Sequence, residues 1–263
     1  MPQISIITVG MNHKDFIKRL YDSIFVDGNS TLDCEVIYVD NCSTDGSVDM
    51  VKSNYPKVKI LVNDRIYGFG ENNNRGAEMA SGKYLAIINP DIILQKNSLD
   101  RLFEYAENND SWGVLAPKLL NADGTLQYSV RKFVSLKIML SRFFTVGKDS
   151  CENETVNDYL NKDIDSSKVQ MVDWAIGAAL FVRRDFFQKM GGFDLDYFLY
   201  MEDEDFCLRC WKNGKPVVYV PQSEMMHTHL RSSSKLNKMT FVHFKSLLTF
   251  FRKHGINVKR PSF

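Results

Sequence analysis

Between residues 4 and 115 the chain alternates short apolar runs with longer stretches whose apolar residues recur three and four apart. The apolar runs are 4–9, 35–39, 58–62 and 84–88, each of strand length. The first intervening stretch carries Phe16, Leu20 and Ile24 on one helical face, with Asn12 as its cap and Asp15 three residues on. The second carries Val48, Val51 and Tyr55 and stops at Pro56. The third spans 71–81, with Gly82 where a left-handed cap is wanted. A fourth is capped by Ser98 and turns Leu99, Leu102, Phe103 and Ala106 inward. Parallel strands cannot be joined by a tight hairpin and need a helical crossover. The rhythm therefore predicts an α/β chain whose mainly parallel sheet carries helices on both faces. A length of 263 residues suits one large α/β domain or two tightly fused halves.

In such sheets ligands bind beyond the carboxyl ends of the strands. That places Val9 to Asn12, Asp40 and Asp91 on one rim. Asp91 follows the apolar run 84–88 in the turn Asn89, Pro90, Asp91. A carboxylate there is a hard ligand for Mg²⁺ or Mn²⁺ shared with substrate phosphates, the alternative being a solvated turn residue. Asp40 opens a cluster of turn residues in which Asp45 is better placed to cap the next helix, leaving Asp40 for a ligand. The glycines of 68–76 do not follow the first strand, so they form no dinucleotide fingerprint, and no GxxxxGK[ST] loop is present.

Past residue 123 the pattern loosens. Residues 131–144 read as a basic amphipathic helix and 151–167 as a mobile polar surface segment. A strand over 174–182, a helix over 185–190 ended by Gly191 and Gly192, and a strand over 216–220 follow. An aromatic cluster from Phe193 leads into four consecutive acids, Glu202 to Asp205, at the start of a helix that ends before Gly214. The helix dipole favours such acids by roughly 0.3–1 kcal/mol each, which alone can account for them. Four in a row repel one another, however, and crowding behind aromatics raises a carboxylate's pKa as a general base requires. His227 and Arg231 lie in a polar turn, an imidazole suited to a metal beside a carboxylate and a guanidinium suited to phosphate. The last helix has Phe241, Phe244, Leu248 and Phe251 in register, then a basic tail.

A net charge of +1 gives no basis for bulk nucleic-acid binding, and no apolar run approaches the roughly 20 residues that span a bilayer. Five cysteines in no framework spacing, with an N-terminus unlike a signal peptide, predict a reduced, cytoplasmic chain.

Taken in order, the stretches 5–12, 36–47, 68–76, 84–91, 174–184, 191–194 and 200–206 resemble inverting glycosyltransferases of family 2. The resemblance covers residues 3–233 and implies the GT-A fold. In that fold a Rossmann-like nucleotide-binding half (1–122) is fused to an acceptor-binding half (123–233) around one mixed, mainly parallel sheet, with 234–263 as a C-terminal helix and tail. It implies that Asp40 binds the donor's base, with the Thr8–Val9 backbone, Asn12 and Asn74 beside it. Asp91 would be the surviving carboxylate of the family's DxD metal motif, whose first position is Asn89 here, as in the rhamnosyltransferase-like subset. His227 would partner Asp91 on a divalent cation, Mg²⁺ or Mn²⁺, and Arg231 would lie near the diphosphate. Asp203 matches the catalytic base, with Trp174, Gly177 and Glu202 on the acceptor side. Met11 and Ile66 depart from the family's usual residues near the nucleotide.

The resemblance thus implies transfer of a sugar from dTDP-rhamnose or a UDP-sugar to a saccharide, including a lipid-linked one, in surface polysaccharide or O-antigen synthesis. The alternatives are a sugar-phosphate nucleotidyltransferase, which would want a phosphate loop after the first strand, and a catalytically silent carbohydrate- or partner-binding module. The basic stretches 131–144 and 241–260 raise a peripheral membrane contact, against core helices with a solvated basic face. Neither donor identity nor oligomeric state follows from these residues.

Overall fold

The computed structural model describes residues 1–144, 153–228 and 238–262. The first half follows the expected rhythm: β1 (Ile4–Gly10), α1 (Lys14–Phe25), β2 (Cys34–Asp40), α2 (Ser47–Asn54), β3 (Lys59–Val62), α3 (Phe69–Met79), β4 (Tyr84–Ile88), β5 (Ile92–Leu94), α4 (Ser98–Asn108) and β6 (Val114–Leu120). The second half adds β7 (Val130–Arg131), α5 (Leu136–Phe144), α6 (Glu154–Tyr159), β8 (Gln170–Val172), β9 (Trp174–Ala175), β10 (Ala179–Arg183), α7 (Arg184–Lys189), α8 (Glu202–Lys212), β11 (Val217–His227) and α9 (Lys238–His254).

The main sheet runs β3-β2-β1-β4-β10-β6-β11-β5, with β8 pairing β11, and β7 and β9 form a separate ribbon. β1, β2, β3 and β4 are mutually parallel, β10 runs antiparallel between β4 and β6, and β11 is parallel to β6. The sheet is therefore one mixed, mostly parallel platform to which both halves contribute strands. Alternate residues of β1 serve two apolar layers: Ile4 and Ile6 pack with α1, α2 and α4, and Ile7 packs on the other face with α3 and the β10–β11 strands. Burial on both faces is why these strands read as continuous apolar runs.

Several expected boundaries move, each for a tertiary reason. The strand over 174–182 is split into β9 and β10 around Gly177. β11 does not end at Val220 but continues, through a register shift between Val220 and Glu224, to His227. The basic helix begins only at Leu136, because Val130 and Arg131 pair with Ala175 and Trp174. Residues 153–167 contain α6, capped by Asn153 and burying Val156 and Tyr159, where a mobile segment was expected. Gly82 does not cap a helix in the left-handed region: α3 ends at Ala80, and a Cβ on Gly82 would meet the Ser5 backbone nitrogen at 2.7 Å. Asn97, with φ 61°, takes the cap position assigned to Ser98.

Candidate functional site

The β1–α1 and β2–α2 loops are fastened to each other at the carboxyl ends of their strands. Asn12, at φ 57°, accepts the Thr44 N–H at 2.7 Å, and its own N–H donates to Ser43 Oγ at 3.0 Å. It does not cap α1; His13 holds the cap position without a side-chain bond, and Asp45 Oδ2 accepts the first helical N–H, from Lys14, at 2.9 Å. An anion there is favoured by the helix dipole. Asp40 sits opposite Gly10 in the β1–β2 register and is 1% exposed. It is not free of protein partners, as the sequence suggested: Tyr38 Oη donates to one oxygen at 2.7 Å and the Ser43 N–H to the other at 3.0 Å. Thr8 is wholly buried and Val9 packs against the core, so what β1 offers this rim is its backbone.

Asn74 also has a different task from the one expected. Its Nδ2 donates to the Phe193 carbonyl and its Oδ1 accepts the Phe193 N–H, both at 2.8 Å. It clasps α3 to the loop that leads into α8. A network that no motif announced lies beside it. Asn63 Nδ2 donates to Asn41 and Asn72, which in turn bond the backbone at Tyr67 and Gly68. The Arg65 and Arg75 guanidiniums both lie over the Tyr67 ring, 4.8 and 4.5 Å from its centroid. The signal available in the sequence was the run of asparagines, which reads equally well as helix and turn.

β5 turns back antiparallel to β11 with Ile92 opposite His227, and the Thr228 N–H donates to the Asp91 carbonyl at 2.9 Å. This register brings the two predicted metal ligands together: His227 Nε2 lies 3.3 Å from Asp91 Oδ2, with both residues buried. His227 Nδ1 lies 2.6 Å from Gln127 Oε1, and Gln127 Nε2 donates to Asn121 Oδ1 at 3.2 Å. The amide is thereby oriented with its oxygen toward the ring, which assigns the imidazole proton to Nδ1. In the neutral ring the Nε2 lone pair and the Asp91 carboxylate then converge as two donors, the arrangement that outer hydrogen bonds impose on metal-binding histidines. Among the described residues no group of three or more His, Cys, Asp or Glu is assembled for a metal. Two protein ligands fit a cation that takes the rest of its shell from water and substrate phosphate. His13 is close by: burial lowers its pKa, and the charges of Asp91 and Asp45 work against that. Arg231 lies outside the described residues.

The four consecutive acids do four different things. Asp203 alone among them is not fully buried; its Oδ2 accepts the Gly177 N–H at 2.7 Å and its Oδ1 the Glu204 N–H at 2.9 Å. Burial raises its pKa, opposed by those backbone bonds. Glu204 accepts the Val134 N–H at 2.6 Å and Glu202 has an oxygen without a partner among the described residues; burial pushes both carboxyls well up. Asp205 is bound by Arg209 and His254, both at 2.7 Å, and although burial works against its charge these partners hold its pKa below the usual range.

Gly177 joins the two centres. The Asn89 N–H donates to the Ala178 carbonyl at 2.8 Å, while the Gly177 N–H binds Asp203. The turn carrying Asp91 and the carboxylate of Asp203 are thus bonded to adjacent residues of one bend. A Cβ on Gly177 would touch Asp203 Oδ2 at 3.4 Å and Phe69 Cε1 at 3.3 Å, so the bend is lined closely. Trp174 is 5% exposed, donates its indole N–H to the Lys132 carbonyl at 2.8 Å and lies under the Arg131 guanidinium, so it forms wall rather than open surface.

The sequence profile of glycosyl transferase family 2 matches residues 5–189, and that of glycosyl transferase family group 2 matches 140–254. The chain is 32% identical over 211 residues to N-acetylglucosaminyl-diphospho-decaprenol L-rhamnosyltransferase of Mycobacterium tuberculosis, covering 76% of this chain and 68% of the relative. It is 28% identical over 268 residues to the rhamnosyltransferase WbbL of Escherichia coli strain K12, covering 96% and 94%. Among solved structures it resembles a mannosyltransferase from Pyrobaculum calidifontis in complex with GDP-Man and Mn²⁺, with a TM-score of 0.65 and 17% identity, covering 99% of this chain and 66% of that one. It also resembles GalNAc-T7 with UDP, GalNAc and Mn²⁺, with a TM-score of 0.65 and 16% identity, covering 88% and 44%. The chain therefore spans two thirds or less of either solved structure, and those two likenesses speak to fold.

Proposed function

The chain belongs to glycosyl transferase family 2 and has the GT-A fold, and from that premise we propose that it transfers a sugar with inversion from a nucleoside-diphosphate donor. The donor is of the dTDP-rhamnose or UDP-sugar class, the acceptor a saccharide or lipid-linked saccharide, and the product a bacterial surface polysaccharide or O-antigen. The names of the mycobacterial and Escherichia coli relatives support rhamnose and a lipid-linked acceptor. Residues 1–122 would hold the donor and 123–233 the acceptor.

The observation that carries this reading is the Gly177–Ala178 bend, to which the Asp91 turn and the Asp203 carboxylate are both bonded. Asp203 is the acid that retains solvent access among four neighbours, and burial lifts its pKa toward that of a working base. It removes the proton of an acceptor hydroxyl, which attacks the anomeric carbon from the face opposite the diphosphate. One displacement inverts that carbon without a covalent intermediate. The N–H groups of Gly177 and Glu204, one on each oxygen, aim the base. Asp91 and His227 would hold a Mg²⁺ or Mn²⁺ ion, which when bound neutralises charge developing on the leaving diphosphate. With two protein ligands among the described residues, metal binding should be weak in the free protein and strengthened by nucleoside diphosphate.

The test is nucleoside-diphosphate release from a panel of nucleotide sugars with Mn²⁺, with and without chelator. Release from one donor, lost with chelator, is the expected outcome. Donor binding with no release from any member, at any acceptor tried, would sink the assignment in favour of a silent binding module.

A further inference from the structure

Of the four apolar residues in register on the last helix, Phe251 is half-buried against the core and the other three face solvent. Phe241, Phe244 and Leu248 are 73%, 51% and 53% exposed, whereas Ser246, Leu247 and Phe250 form its buried side. Residues three, four and seven apart share one helical face, so the three exposed side chains form a continuous apolar ridge. Lys245 and Arg252, four residues past Phe241 and Leu248 and themselves exposed, lie along the same arc. The buried side is firmly held: Ser246 Oγ donates to the Leu199 carbonyl at 2.8 Å, His254 binds Asp205, and Lys253 pairs with Asp194 and Asp196. The ridge is therefore not a loosely docked helix facing the wrong way.

Charge tells what would cover it. From residue 225 to the end the chain has eight Lys or Arg and no Asp or Glu, in a protein whose net charge is +1, so the remainder is net acidic. We propose that the outward face of α9 docks on an anionic lipid bilayer, its ridge entering the boundary of headgroups and acyl chains and Lys245 and Arg252 meeting the headgroups. An apolar face edged by cations and lacking acids is the pattern of a helix that lies in the membrane plane. A protein partner would need its own acidic rim around an apolar groove, whereas an anionic bilayer supplies both by composition. No helix among the described residues is long and apolar enough to cross a membrane, so the contact lies on the surface. The loop that Ser246 and Lys253 grip carries exposed Leu195 and Phe198 and runs into α8, so the docking face adjoins the element bearing Asp203. The inference stands independently of the sugar-transfer reading.

The experiment is flotation of the full chain with phosphatidylcholine vesicles, with and without phosphatidylglycerol. The protein should float with the anionic vesicles, less so at high salt, and remain largely unbound with phosphatidylcholine alone. The variant F241S/F244S/L248S should lower the partition coefficient at least about tenfold, and K245E/R252E should remove the preference for phosphatidylglycerol with a loss of about tenfold or more. Both should keep the wild-type circular dichroism and melting temperature, since all five side chains lie outside the core. Failure of the wild type to float with anionic vesicles overturns the proposal, as does equal flotation of the folded variants. Sedimentation that shows a dimer lost in F241S/F244S/L248S, without flotation of the wild type, would assign the ridge to a second copy instead.

Discussion

At the scale of single residues, the acids of α8 show how position in the fold divides chemically similar side chains. Asp203→Asn should lose about 10²–10⁴-fold in turnover while still binding donor, since a positioned base contributes that much; near wild-type transfer by this variant would remove Asp203 from its role. Glu204 is buried with its pKa pushed up, and an amide can accept the Val134 N–H equally well. A raised carboxyl pKa contributes stability below the unfolded value that is lost as pH rises through the folded one. Glu204→Gln should therefore melt higher than wild type at pH 7 to 8 and show no such gain near pH 4, as read by calorimetric scans at both pH values. Gln127 is the residue that the sequence did not single out. Gln127→Leu removes the acceptor that fixes the His227 tautomer, and should weaken Mn²⁺ binding in the presence of nucleoside diphosphate about 10- to 100-fold by titration calorimetry. Unchanged affinity would show that the ring is held by other means.

At the scale of elements, most strands and helices of the first half were legible because each is a local period bounded by a local signal. Missed boundaries share one cause: a partner distant in the chain. β11 extends to His227 because β5 and β6 pair with it, and residues 174–183 form two strands because Gly177 turns toward Asp203. Gly82 looked like a helix cap and is instead the point where the chain passes against Ser5 without room for a side chain. Asn74, half-buried, joins two elements through both ends of its amide. Asn74→Ala would leave the Phe193 N–H and carbonyl without their partners, and should cost roughly 1–3 kcal/mol in urea-monitored unfolding. A cost near zero would mean that water replaces the clasp and that the amide is available to a ligand after all.

At the scale of the whole molecule, the two halves share one sheet, and the first half's share of it should hold together in a pH-dependent way through an acid that binds across its elements. Glu35 accepts bonds from Ser5, Ser81, Gly82 and Lys59, linking β1, β2, β3 and the turn before β4. Burial raises its pKa, but the bonds from Lys59, Ser5 and Ser81 outweigh it and bring the carboxyl from 4.5 down to about 2. A depressed carboxyl pKa gives stability that is present above the unfolded value and is lost as pH falls through the folded one. Wild type should accordingly lose part of its stability between about pH 4.5 and pH 2, and Glu35→Gln should flatten that stretch of the profile in denaturant melts taken across it. The sequence by itself determined the alternation of elements, the mainly parallel sheet, the rim bearing Asp40 and Asp91, and the acid-rich start of α8. Those follow from hydrophobic period, turn chemistry and charge, which act between neighbours in the chain. Tertiary structure alone decided which acid keeps solvent access, that Asp40 and Asn74 are tied to backbone, that Gln127 orients His227, and which face of α9 meets solvent. A helical period states that two faces differ or agree in polarity, and α9 is apolar on both. Only the surface it packs against can choose between them.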